Sequence, residues 1–514
     1  MKTIDKAIKV QTVSTGEKKK VKNSGYSRHA ASPMKTSMRG WLTDIASPYE
    51  DIEDNIEVLR ERSRDLYMGA PIASGVLKTM RTNIVGSGLR LNSRVDATIL
   101  NMSGEEADAY QTQVEREFSL WAESKNCDIA RMNDFYALQQ LAFLSFLMSG
   151  DVFALLPMYE RSGSPYSLCI QLLEADRVCN PNSMASLDEK IINGVEIDRK
   201  GEVVAYHIAQ KHPKSTRALQ NEWVRVEKFG KKTGRPNVLH LVDLERPDQR
   251  RGVPFLTPVI ESLKQISRYT TAELMAAVVD AMHTVFIESE AEDRDDLGGL
   301  SPDEEIDSEN ESTIEIGNGA VNFLREGEKM HESKPSRPNT AFDGFVTAMC
   351  RQIGVALELP YEVLMKHFTS SYSASRGALL EAWKMYRMRR EWLARNFCQP
   401  IFEEFLAESV ALGRIYAPGF FDDPLIRKAY SKAEWNGPSE GQLDPLKEVN
   451  AAEKRVMNGF STRTRESLEL TGSDFFSNHE LRIVEEESRR DAKFDKDYVA
   501  IATGMKQIEE SEDE

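Results

Sequence analysis

The stretch TPVIESLKQISRYTTAELMAAVVDAMHTVFIES runs for more than thirty residues beyond Pro258 without another glycine or proline. Proline is tolerated in a first helical turn and nothing later breaks the ladder, so the run predicts one long helix. A second helical run, NTAFDGFVTAMCRQIGVALEL, stops at Pro360. A third is expected from about Ser375 to Leu412, roughly 55 Å long at ~1.5 Å per residue and bent at Pro400. Its length suggests a structural beam rather than a packed core element. Long amphipathic helices must bury an apolar stripe against something. Identical chains standing side by side would serve, because head-to-tail contacts close into a ring when the rotation allows.

What lies between these helices is unusual. The first and second are separated by an acidic insert with Glu288, Glu290, Glu292, Asp293, Asp295 and Asp296, followed by SPDEEIDSENESTIEIGNGAVNFLREGEKMHES. Two strand-like runs, STIEI and AVNFL, sit inside it. The second and third are separated by Lys366, His367 and Phe368 and then a hydroxyl-rich run: Thr369, Ser370, Ser371, Tyr372, Ser373 and Ser375. A small, polar, nearly uncharged loop is thus mounted on the end of a long rigid helix.

Upstream, residues 1–45 are polar and basic and read as a flexible arm. Helical patterns follow at EDNIEVLRERSRDLY, PIASGVLKTMRTNIVG, EEADAYQTQVEREFSLWAES and NDFYALQQLAFLSFLMSG, the last apolar nearly all round and so expected to be buried. IVGSGLRL reads as a short strand. From Asp151 to Leu244 the period falls to two, with Gly201 in a hairpin turn. The fold class is α+β and mainly α-helical. Beyond Pro418, further helices lead to an acidic end, EESEDE.

A net charge of -16 argues against a chain that grips nucleic acid over its whole surface, though a polyanion could pass without sticking. The five scattered cysteines suit free buried thiols rather than disulfides or zinc. The most apolar run, from Leu138, is too short to span a bilayer, so no membrane role is expected. The eight histidines sit alone. FGKKTG at Phe229 lacks the first glycine of a phosphate loop and lies among strands rather than before a helix. The acidic insert has no fixed ligand spacing and reads as solvated rather than metal-binding. No catalytic residues, metal or cofactor are expected.

Four stretches then carry a resemblance: RSRDLYMGAPIASGVLKTMRTNIVGSGLRL, LAFLSFLMSGDVFALLP, LHLVDLERPDQRRGVPFLTPVIESLKQISRYTTAELMAA and LELPYEVLMKHFTSSYSASRGALLEAW. They resemble the portal proteins of tailed bacteriophages, lambda-like family, over most of the chain. The run Arg246-Pro247, Gln249, Arg251-Gly252-Val253-Pro254 before the long helix is the most specific. On physical grounds alone its prolines and glycine only mark a turn.

The resemblance implies a homo-oligomeric ring, a dodecamer, at one capsid vertex, through which double-stranded viral DNA is packaged and ejected. It implies a wing/stem/clip/crown architecture: residues 46–250 as wing, 251–288 and 339–360 as stem helices, and 289–338 as the acidic clip. Residues 361–374 would be the tunnel loop, 375–415 the helix behind it, and 416–514 wing and crown helices with an acidic tail. Lys366, His367, Phe368, Thr369, Ser370, Ser371 and Tyr372 are expected to line or border the channel. Glu290, Glu292, Asp293, Asp295, Asp296, Glu304 and Glu305 are expected to dock the terminase large subunit and later the head–tail connector or adaptor proteins. Major capsid and scaffold proteins are further expected partners, with assembly in the host cytoplasm and residence in the virion. Two readings stay open beside this one. A packaging enzyme would need a phosphate loop or metal carboxylates, and another non-enzymatic head or connector protein would leave the paired helices unexplained.

Overall fold

The computed structural model describes residues 45–181, 190–216, 222–281, 285–289, 328–332, 341–369, 371–441, 445–473 and 475–492. After one π-helical turn at Tyr49–Glu53 come α1 (Ile56–Gly69), α2 (Pro71–Ile84), strand β1 (Arg90–Ser93), the short α3 (Ala97–Leu100), α4 (Gly104–Ala122) and α5 (Phe135–Ser149). Local signals set these boundaries. Pro71 occupies the first turn of α2. Ser103 and Glu106 form a reciprocal capping box on α4, and the Asp134 carboxylate caps α5 by accepting from the Ala137 amide at 2.7 Å.

The apolar all-round helix α5 is buried on most of its surface. Gln139, a polar interruption in that run, is fully buried without penalty. Its amide accepts from the Leu89 N–H at 2.6 Å and donates to the Leu89 carbonyl at 3.1 Å.

The period-two region folds as expected into short antiparallel strands: β2 (Asp151–Leu155), β3 (Gln171–Leu173), β4 (Ile191–Ile192), β5 (Val195–Ile197), β6 (Val203–Ala209), β7 (Trp223–Glu227) and β8 (Val238–Val242). They make two sheets, one ordered β3-β2-β8 and one ordered β4-β5-β6-β7. A small core of Phe153, Leu173, Val178, Val195, Tyr206, Ile208 and Val238 lies between them.

Then come α6 (Ile260–Ala281), the hairpin strands β9 (Val285–Ser289) and β10 (Glu328–Glu332), α7 (Phe342–Ala356), α8 (Tyr361–Met365), α9 (Tyr372–Leu393), a π-helical turn at Ala394–Cys398, and α10 (Gln399–Ala411). The third long helix therefore begins at Tyr372 rather than Ser375. Its irregularity is the π turn that delivers Pro400 into the first turn of α10, where no amide is missed.

The expected beam is only half a beam. Leu393, Phe397, Ile401, Phe402 and Phe405 are fully buried, and Phe118 meets Phe402 and Phe405 edge-on at 5.6 and 5.2 Å. The lower half of the rod is the centre of the main core, because its apolar residues there spread around the helix instead of forming one stripe. α11 (Pro424–Tyr430), β11 (Ala433–Asn436), α12 (Pro445–Met457), α13 (Arg463–Thr471) and α14 (Phe475–Asp491) complete the described chain. β11 pairs antiparallel with β1, so strands more than 300 residues apart in the chain share a sheet. The strand-like runs STIEI and AVNFL fall outside the described residues.

Candidate functional site

The hydroxyl-bearing loop stands on a tight elbow. α7 ends at Ala356, and the chain reverses through Leu357, Glu358 and Leu359 before α8. The Leu357 and Leu359 amides donate back to the carbonyls of Ile353 and Gly354 at 3.0 and 2.8 Å. Cys350, Ile353, Leu357, Leu359 and Val363 all bury into the main core. The elbow is thus anchored on its inner side.

The loop itself emerges from α8. Lys366 closes that helix in the left-handed conformation, and the His367 amide donates to the Glu362 carbonyl at 3.0 Å. Lys366, His367, Thr369 and Ser371 are exposed, and Phe368 and Tyr372 are about half exposed, at 48% and 47%. Ser371 precedes the first turn of α9 and accepts the Ser375 amide through its backbone carbonyl at 2.9 Å. The Tyr372 hydroxyl accepts from Arg376 Nη1 at 3.4 Å. Five of the seven predicted loop residues therefore sit together on one exposed segment between α8 and α9, and Tyr372 opens α9. Ser370 lies outside the described residues, as do Glu290, Glu292, Asp293, Asp295, Asp296, Glu304 and Glu305.

Five cations of α9, the helix behind the loop, are engaged elsewhere. Arg376 faces Glu448 of α12 at 3.5 Å, Lys384 pairs with Glu381 at 2.5 Å, and Arg387 pairs with Glu440. Arg389 pairs with Asp243, while Arg390 donates to the carbonyls of Asn83, Ile84 and Pro438 at 2.9, 3.0 and 2.8 Å. The helix behind the loop is rich in arginine, yet its guanidinium groups hold the body together.

A second cluster was invisible as chemistry in the sequence. Asp151, fully buried at the start of β2, accepts from Arg251 Nε at 2.7 Å and Nη2 at 3.2 Å, and from Arg60 Nη2 at 2.8 Å. His240 Nε2 and the Gly252 amide reach Oδ2, the oxygen that also accepts from Arg251 Nε, at 3.2 Å each. Burial opposes the Asp151 charge, but Arg251 and then Arg60 outweigh it and hold the carboxyl far below the usual carboxylate range. Burial draws Arg60 down to about 10 and lowers His240, which is therefore the neutral donor.

Arg251 is satisfied completely, donating also to the carbonyls of Ala175, Val178 and Asn193 at 2.6–2.7 Å. Glu53 closes the cluster from the N-terminal side by accepting the Arg250 and Arg251 amides. The motif that looked like a mere turn is a structural hub. It joins α1, both sheets and the entry to α6.

Two glycines make the hub possible. A Cβ on Gly252 would lie 1.9 Å from the Gly150 carbonyl oxygen, and Gly150 itself has φ +86°. The pairing of SGD at the end of α5 with RRG before α6 was the signal available in the sequence, but only the fold brings the two together.

Two further constellations have plain structural accounts. Glu174, Asp176 and His212 converge, with ligand atoms within 4.8 Å, but Arg64 sits on both carboxylates and makes this an ion-pair network. Lys232 and Thr233 lie in the connection between β7 and β8, closed by a Phe229–Pro236 bridge, and precede no helix. All five cysteines are free, and Cys179 alone is not fully buried. No helix among the described residues is long and apolar enough to cross a membrane.

The described residues form a mainly helical α+β body with long helices on either side of an insert. Residues 34–390 match the family described as phage portal protein, lambda family, and the chain belongs to that family. It is 23% identical over 497 residues to portal protein B of Escherichia phage lambda, with 92% of each chain covered. It is 24% identical over 498 residues to the portal protein of Escherichia phage N15, covering 92% of this chain and 93% of that one. Among solved structures it is similar to a chain from the neck of the empty gene transfer agent particle, at 14% identity and a TM-score of 0.44. That likeness covers 80% of this chain and 92% of the other.

Proposed function

We propose that copies of this chain form a ring, a dodecamer, at one capsid vertex, and that double-stranded viral DNA passes through its centre during packaging and ejection. The observation that carries this reading is the exposed loop from Lys366 to Tyr372, uncharged from Phe368 onward, carried by a buried elbow and backed by arginines already paired with the protein's own carboxylates. Hydroxyls exchange hydrogen bonds with phosphates one at a time. A ring of free arginines would instead add several decades of salt-sensitive affinity and act as a brake.

In this reading Lys366, His367, Phe368, Thr369, Ser370, Ser371 and Tyr372 line the narrow part of the channel. The acidic segment with Glu290, Glu292, Asp293, Asp295, Asp296, Glu304 and Glu305 docks the terminase large subunit and afterwards a head–tail connector. The basic arm before Arg39 touches scaffold or major capsid protein. The chain is assembled in the host cytoplasm, ends in the virion and has no catalytic role.

Negative-stain images of the purified protein are expected to show rings with a central hole, and a chain that stays single refutes the reading. Replacing Ser370 and Ser371 together by Arg should slow packaging or impair DNA retention, whereas an unchanged virion yield removes the loop from the channel. Deleting Asp293 to Glu309 should abolish terminase binding, and intact binding removes the docking assignment.

A further inference from the structure

An open groove of about 500 Å³ lies between the elbow and α9, floored by Leu359, Pro360 and Met385 and edged by Val355 and Met388. Val355 is 82% exposed and Met388 52%, both large for apolar side chains in a folded chain. Methionines suit such a surface because they adapt to an incoming side chain. On its rim stands Glu358, an exposed residue with φ +56°, in the helix-terminating position that favours glycine. A carboxylate kept where glycine would be easier points to a use for that charge.

Elsewhere on the same chain α6 carries a complementary ridge. Arg268, Thr271, Met275 and Val278 follow i, i+3, i+7 and i+10 spacing, share one face and are all exposed, with Leu274 beside them. Among the described residues no ion-pair partner is found for either Arg268 or Glu358. The groove has an apolar floor and a rim on which Glu381 and Lys384 pair with each other, leaving Glu358 as the uncompensated charge, and the ridge has an apolar stripe and a basic start. Arg268 and Met275 are two helical turns apart, about 10 Å, a reach that fits a rim charge beside an apolar seat.

We infer that the α6 ridge of one copy seats in the elbow groove of the next, with Met275 and Val278 over Met385, Met388 and Val355, and Arg268 paired with Glu358. The inference rests on the ring reading and names its contact. Groove and ridge are different surfaces, so the contact is head-to-tail and can close a ring rather than stop at a two-fold dimer. It places the neighbour's long helix directly against the elbow that carries the exposed loop, so each loop is braced by two chains.

The test uses the full-length protein, with assembly followed by light scattering and negative stain. Glu358→Arg and Arg268→Glu should each raise the concentration needed for assembly at least about tenfold, since like charges then face each other across the contact. The double charge swap should restore assembly toward the wild-type value. Independently, a chain carrying both Met275→Cys and Val355→Cys should give a ladder of covalent multimers on mild oxidation. This readout does not depend on the charge variants folding. Rings that form normally in both single variants, singles that the swap fails to rescue, or rings that yield no ladder would each overturn the contact while leaving the ring reading intact. A wild-type chain that stays single overturns both.

Discussion

Asp151→Asn should be among the most damaging near-isosteric changes in the chain. The carboxylate receives five hydrogen bonds and is the counter-charge for two guanidinium groups, with Asp151, Arg60 and Arg251 all buried. The amide keeps one acceptor oxygen but turns two N–H groups toward donors, and it strands both arginines without compensation. Removing one partner of a buried pair costs about 3–5 kcal/mol, against a typical total stability of about 5–15 kcal/mol.

Urea unfolding of the full chain, followed by the fluorescence of its six tryptophans and by far-ultraviolet circular dichroism, measures the loss. The pH dependence gives a second check. Because the folded carboxyl titrates far below its unfolded value of about 3.9, its stabilisation is fully present above that value and fades as pH falls below it. The gap between wild type and variant should therefore be constant from about pH 8 to pH 5 and should narrow below about pH 4. Adding Arg251→Met to Asp151→Asn removes one stranded charge, so the double variant should lose less than the sum of the single losses. A loss under about 1 kcal/mol, or a gap that ignores acid, would refute the view that this cluster bears the junction between helices and sheets.

Gly252→Ala should yield little soluble protein, because its Cβ would sit 1.9 Å from the Gly150 carbonyl oxygen; expression at wild-type level with an unchanged unfolding midpoint would contradict this. Arg390→Ala orphans the carbonyls of Asn83, Ile84 and Pro438 and should cost at least about 1–3 kcal/mol in the same urea assay, the penalty for one unsatisfied buried acceptor. Ser103→Ala removes only the α4 capping box on an exposed turn, so it should cost about 1 kcal/mol and leave assembly unchanged.

Much of the architecture was legible because its signals are local. Pro71, Ser103, Asp134 and Pro360 mark helix ends through groups within a few residues of themselves, and the switch from helical period to alternation at Asp151 separates helices from sheets. The hydroxyl-rich run was legible only in part: Thr369 and Ser371 lie between helices, whereas Tyr372, Ser373 and Ser375 already belong to α9. What sequence could not disclose was partnership at a distance. Arg251 looked like one more charge in a turn, yet it is wholly buried, and its carboxylate lies 100 residues away. The third long helix read as a beam, but residues from α4 and α5 close over its lower half and make it core. Both depend on which surfaces meet. A residue's spacing sets its own helix or strand, whereas the burial that makes a charge costly or a phenylalanine central comes only from elements the chain brings back from elsewhere.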